Sequence, residues 1–186
     1  MAGAGAGPSV SGVRVQVGAY SVQLWRTQPP AALEMLLDGA DLSERFESDQ
    51  DGDFFAVSIS QDGAGSLLTV TQRFSPSVPG FEPGVLIVPE THLAFIGAGE
   101  RLLAYDLARG ARLWEDAAEV GFWWWDQVGE VILMAAELEL AAWSTAGRKL
   151  WTTFVEPPWS YWVDGGTLEL DVMGNLHRFS LYTGPL

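Results

Sequence analysis

Along residues 85–179 the apolar positions come in short runs of four to six, broken by Gly, Asn and Asp. The clearest stretch is FWWWDQ (122–127), EVILM (130–134), LELAAWS (138–144) and KLWTTF (149–154). These lengths predict strands, and the short polar gaps predict antiparallel hairpins. HLAFI (92–96) and TLEL (167–170) are counterparts of EVILM, and Leu102, Leu140 and Leu176 each stand three residues before an aromatic. In the first half, GVRVQVGAYSVQLW (12–25) predicts strand, turn and strand, and residues 53–60 and 66–74 predict a hairpin around the turn at 61–65. One helix is expected, near residues 30–38. Pro29 and Pro30 suit its first turn, Leu33, Leu36 and Leu37 share a face, and Gly39 suits its end.

The pattern repeats. AYDLARGARLW (104–114) aligns with AWSTAGRKLW (142–151) and with the shorter RFSLYTGPL (178–186), placing Gly110, Gly147 and Gly184 at successive offsets of 37. The aromatics Tyr105, Trp143 and Phe179 follow at offsets of 38 and 36. One four-stranded sheet per ~40 residues is the mark of a propeller blade. The expected fold is all-β: a small or half β-propeller of about four antiparallel sheets in a single domain over residues 1–186. Residues 1–11 read as a flexible tail and 12–84 as one or more degenerate blades plus the helix. Residues 85–120, 121–157 and 158–186 read as blade-like repeats. The last repeat stops at its third strand, and residues 12–19 are positioned to supply the fourth if the ring closes.

Tyr105, Asp106, Gly110, Arg112, Leu113 and Trp114 resemble the repeat of the PQQ-like β-propellers, of the quinoprotein and outer-membrane-assembly types. The second copy keeps Trp143, Gly147, Leu150 and Trp151, with Ser144 in place of the aspartate. The resemblance covers roughly residues 85–186, too few blades for a full-size member. It implies blade architecture. The calcium and quinone ligands of the dehydrogenases have no counterpart here, so it implies no cofactor.

Three consecutive tryptophans, Trp123, Trp124 and Trp125, occupy the expected innermost strand of the middle repeat. Simple alternation puts Phe122, Trp124 and Asp126 on one side and Trp123, Trp125 and Gln127 on the other. Neither side is polar. A blade covered on both faces by its neighbours accounts for that. At an offset of 37 the next repeat sets Trp159, Ser160, Tyr161 and Trp162 against Phe122, Trp123, Trp124 and Trp125. The small Ser160 then marks the Trp123 slot as one the core does not require. Trp123, Trp124, Trp125, Asp126, Trp159, Tyr161, Trp162 and Asp164 are therefore the candidate binding residues, an aromatic and acidic groove, because tryptophan is enriched where interfaces concentrate their energy.

Charge narrows the partners. Ten basic against 24 acidic side chains give −14. The bases are scattered, with Arg148 and Lys149 the one adjacent pair, which disfavours nucleic acid and anionic membrane. The acidity serves solubility or attraction to a basic protein. No cysteine is present, so disulfides and thiolate sites are excluded. The start MAGAGAGPSVSG lacks the form of a secretion signal, and a cytoplasmic location is expected.

Catalytic chemistry has little support. His92 and His177 have no serine or second histidine at a telling spacing. DQDGD (49–53) begins like a calcium loop, but Phe54 stands where glycine is needed and Ser60 where glutamate is needed, so an acidic turn is expected. The glycines of GAGE (97–100) and of the start lack the strand-to-helix setting of a phosphate loop. Asp126, Asp164 and Asp171 are the carboxylates from which a hydrolytic pair would be drawn. The expectation is a non-catalytic acidic protein-binding module with no cofactor and no metal, an inhibitor or immunity protein capping a basic toxin or enzyme. The alternatives are a carbohydrate-binding module or glycosidase using the aromatic–acidic strands, and an assembly subunit joining through open blades. Monomer or homodimer is expected.

Overall fold

A computed structural model describes residues 12–46, 52–62, 65–75 and 80–185. The chain divides between Phe74 and Ser75 into two compact units. That division falls where the Pro/Gly loop of residues 75–84 begins.

The first unit holds β1 (Val13–Val17), β2 (Tyr20–Arg26), α1 (Leu33–Asp38), β3 (Ala40–Phe46), β4 (Asp53–Gln61) and β5 (Ser66–Phe74). Its sheet runs β1-β2-β4-β5-β3. The β4–β5 and β1–β2 hairpins are those read from the sequence. β3 was not foreseen. Its residues ADLSERF alternate between exposed and half-buried, and it pairs with β5 in parallel, so this sheet is mixed rather than antiparallel. α1 begins at Leu33, and Pro30 lies in the turn before it, its carbonyl accepting the Leu33 N–H at 3.0 Å. Leu33 and Leu36 pack on Trp25, Phe54 and Ala56, which explains why the helix has one apolar face. β1 forms an outer strand beside β2, so residues 12–19 do not supply a fourth strand to the last repeat.

The second unit contains three sheets in chain order. The first is β6 (Gly84–Val88), β7 (Leu93–Ala98), β8 (Arg101–Asp106) and β9 (Ala111–Ala117). The second is β10 (Phe122–Val128), β11 (Val131–Ala136), β12 (Glu139–Ser144) and β13 (Lys149–Phe154). The third is β14 (Trp159–Asp164), β15 (Thr167–Val172) and β16 (Asn175–Ser180). Each is an antiparallel meander packed face to face on the next, as successive propeller blades are. The strand β11 shows why its sequence, VILMAA, is apolar throughout. Ile132, Met134 and Ala136 meet the first sheet, while Val131 and Leu133 meet the third, and every residue is buried.

The repeated Gly and Trp are two halves of a clasp between neighbouring sheets. Trp114 Nε1, at the outer strand of the first sheet, donates to the Gly147 carbonyl at 2.6 Å. Trp151 Nε1 does the same one sheet later, to the Leu181 carbonyl at 2.7 Å. A Cβ on Gly184 would fall 2.5 Å from Trp151 Cγ, whereas one on Gly110 would meet nothing within 4 Å. Glycine is thus sterically required at 184, whereas at Gly147 a Cβ would meet the free ends of Leu113 and Leu93 at 3.0 and 3.2 Å and Trp114 Nε1 at 3.7 Å. At Gly110 only the positive φ of 60° favours it.

Candidate functional site: an aromatic seam with an open rim

A β-bulge governs the three tryptophans. Phe122 pairs with Ala136 and Trp124 with Ala135, leaving Trp123 as an extra residue. Alternation breaks there. Phe122 joins Trp125 on the side of the first sheet, their rings 5.3 Å apart. The space for Phe122 exists because Gly84 and Gly97 lack side chains: a Cβ on Gly97 would lie 2.6 Å from its ring. Trp125 also meets Phe95 at 5.6 Å and Trp143 at 5.7 Å, and its buried N–H has no acceptor.

Trp123, by contrast, turns to the side of Trp124 and the third sheet. The strict alternation expected for residues 122–127 fails because of this one inserted residue. The bulge also corrects the alignment of the repeats. Val128 closes its hairpin against Val131 and Asp164 closes the next against Thr167, an offset of 36. Trp125 therefore corresponds to Tyr161, and Ser160 corresponds to Trp124 rather than Trp123. Trp124 is the most open of the three, with 45% of its surface exposed.

Between the second and third sheets the rings form a layered cluster. Trp123 stacks on Trp159 at 5.3 Å and 14°, and on Trp124 at 5.6 Å and 18°. Trp124 and Trp159 lie 6.4 Å apart at 26°, and Tyr161 extends the layer from Trp159 at 6.3 Å and 21°. The three indole centroids form a triangle, so no indole is sandwiched between the other two. Their near-parallel planes point their π faces the same way.

Polar atoms fasten the layer. Trp159 Nε1 donates to the Glu137 carbonyl at 3.1 Å, and Trp124 Nε1 donates to the Tyr161 hydroxyl at 3.3 Å. That hydroxyl in turn donates to Asp126 Oδ2 at 3.1 Å. Burial holds the Tyr161 hydroxyl well above the ordinary tyrosine range. The Trp124 N–H pulls it back, and the Asp126 carboxylate pushes it further up. Tyr161 therefore stays a proton donor at neutral pH.

Of the eight residues singled out from the sequence, the fold brings Trp123, Trp124, Asp126, Trp159 and Tyr161 together. Trp125 lies behind them in the core between the first two sheets. Trp162 and Asp164 alternate with Tyr161 and Val163, so they project from the outer face of the third sheet, where Trp162 is 46% exposed. Asp171 shares that outer face and accepts the Gly174 N–H at 2.8 Å. Asp126 is thus parted by the third sheet from both other carboxylates. His92 sits in the turn before β7 with φ 58°, and His177 is exposed on β16. Residues 49–51 of the acidic turn and the tail at 1–11 lie outside the described residues.

No local sequence signal points to the cavity beside the seam. Phe81, Trp123, Trp124, Glu137 and Pro157 line about 440 Å³ open to solvent. Phe81 and Glu137 are each more than 10 residues from the tryptophan triplet in sequence, and only the packing of the 80–84 segment and the β11–β12 turn brings them there.

Among the described residues no helix is long and apolar enough to cross a membrane. No protein-family model and no curated protein sequence matches the chain. It is similar in structure to BamB from Moraxella catarrhalis, at 10% identity and TM-score 0.46, covering 95% of this chain and 61% of BamB. It is also similar to a fragment of HIRA, at 8% identity and TM-score 0.47, covering 93% of this chain and 55% of the fragment. Hsv2p of Kluyveromyces lactis is a third, at 12% identity and TM-score 0.43, with coverages of 73% and 44%. The chain spans 61% or less of each of these three proteins. At such scores the likenesses carry no argument, and the blade-like fold rests on the sheets themselves.

Proposed function

We propose that the chain is a non-catalytic acidic module that binds a basic protein, an inhibitor or immunity protein that caps a basic toxin or enzyme. The observation that carries this reading is the exposed rim of the seam. Trp124 is nearly half open and stands beside Asp126 and Glu137, on a chain of net charge −14. Large amphipathic rings supply contact area at small entropic cost, and a surrounding negative field speeds encounter with a cationic surface. Among the described carboxylates considered for hydrolysis, Asp126 is committed to Tyr161, and Asp164 and Asp171 lie on the far side of the sheet.

The whole chain, immobilised as bait in a lysate of its own cells, tests this. A basic protein should be retained at low salt and eluted as salt rises, because exposed charge attraction is screened over about 10 Å at 0.1 M. Retention of a neutral or acidic protein, indifferent to salt, would overturn the reading. A glycan array read by tryptophan emission addresses the carbohydrate alternative, for which the near-parallel rings are the supporting feature. The assembly alternative draws on β16, an outer strand with exposed residues in a sheet of three, and light scattering at twice the monomer mass would favour it.

A further inference from the structure

We infer that the cavity beside the seam is a receptor for an arginine side chain of the basic partner. This rests on the reading of the chain as a binder of basic protein and names the chemistry of the contact. The lining is three aromatic residues, Phe81, Trp123 and Trp124, with Gly80, Glu137 and Pro157, and no basic residue. Trp123 and Trp124 are within 18° of parallel with ring centres 5.6 Å apart, so a flat group laid on one ring is near-parallel to both. A planar guanidinium stacks on such a surface through the ring quadrupole and can engage a carboxylate with two N–H donors at once. An ammonium group has no plane to stack. A neutral side chain gains neither the ring attraction nor the charge. Glu137 is held in place by its backbone: its N–H donates to the Gly121 carbonyl at 3.1 Å, and its own carbonyl accepts Trp159 Nε1. This anchors the Glu137 backbone at the cavity wall, within side-chain reach of an occupant. The chain's acidity favours a cationic occupant over an anionic or neutral one.

The test is a titration of the full chain, followed by tryptophan emission, with blocked pentapeptides Gly-Gly-Xaa-Gly-Gly in which Xaa is Arg, Lys or Gln. The arginine peptide should saturate the signal, the lysine peptide should bind more weakly, and the glutamine peptide should leave it flat. Trp124→Leu and Glu137→Gln should each weaken arginine binding about two- to fivefold, the effect of losing an exposed cation–π or charge contact. Glu90→Gln, which removes one exposed charge elsewhere, should not. Glu137→Gln keeps the rings, so it remains informative if Trp124→Leu loosens the fold. Equal binding of the arginine and glutamine peptides, or wild-type affinity in both variants, overturns the inference. The lysate experiment separates the two readings. Salt-dependent capture of a basic protein that both variants retain equally sinks the arginine receptor alone. Saturable arginine binding without any captured basic protein sinks the protein-binding reading alone.

Discussion

Replacing Gly184 with alanine should destabilise the second unit far more than the same change at Gly110, although the two occupy the same place in the repeat. Both have positive φ, 72° and 60°, so both alanines pay for a left-handed backbone, about 1–2 kcal/mol. At Gly110 nothing lies within 4 Å of the new Cβ, and the cost ends there. At Gly184 the new atom falls 2.5 Å from Trp151 Cγ and 2.7 Å from its Cβ. These are the root of the side chain, and the indole cannot swing aside without releasing the 2.7 Å bond to the Leu181 carbonyl. Overpacking of this kind adds about 1–3 kcal/mol, for a total of about 2–5. Gly147 should fall between, because its Cβ would meet the free ends of Leu113 and Leu93 at 3.0 and 3.2 Å. Urea unfolding followed by tryptophan emission is the assay. Eight of the nine tryptophans lie in the second unit, so the signal reports it almost alone. Equal losses at Gly184 and Gly110 would refute the clasp.

Trp114→Phe and Trp151→Phe each keep a ring but leave a carbonyl without its indole donor, and each should cost about 1–3 kcal/mol in the same unfolding assay. Tyr161→Phe should flatten the alkaline limb of the stability profile. The raised pKa of the folded hydroxyl means that its contribution is complete below the unfolded value of about 10 and is lost as pH rises above it. Thermal melts between pH 8 and 11.5 read this, and identical limbs would contradict it. Gly97→Ala should cost about 1–3 kcal/mol through its 2.6 Å approach to Phe122, and the cost should shrink in a Phe122→Leu background, as a double-mutant cycle would register.

Much of the architecture was legible because it is periodic. The offsets of 37 among Gly110, Gly147 and Gly184 reflect one positive-φ turn made in each sheet, and the unbroken apolar run of β11 reflects a sheet covered on both faces. Two features were hidden. The strand β3 carries Asp41, Glu44 and Arg45 among its residues, and its parallel pairing with β5 is a long-range contact that no local pattern signals. The bulge at Trp123 leaves no mark in composition, since an inserted aromatic among aromatics looks like continuation. That one residue puts Phe122 with Trp125 and Trp123 with Trp124, and makes Trp124 the counterpart of Ser160. The eight candidate residues do not share one groove: the third sheet separates Trp162 and Asp164 from the rest, and the second separates Trp125. Phe81 and Glu137 were out of reach altogether, because nothing local links them to the triplet.

The contact that decides between stacked sheets and any other arrangement joins Trp123 to Trp159, rings from neighbouring repeats set 5.3 Å apart. Nuclear Overhauser spectroscopy on protein with selectively labelled tryptophan reads it directly. Stacked sheets predict ring-to-ring cross-peaks between Trp123 and Trp159. Absence of these cross-peaks, with Trp123 instead showing contacts only to residues three and four positions away, would contradict the blade arrangement on which both the seam and its cavity depend.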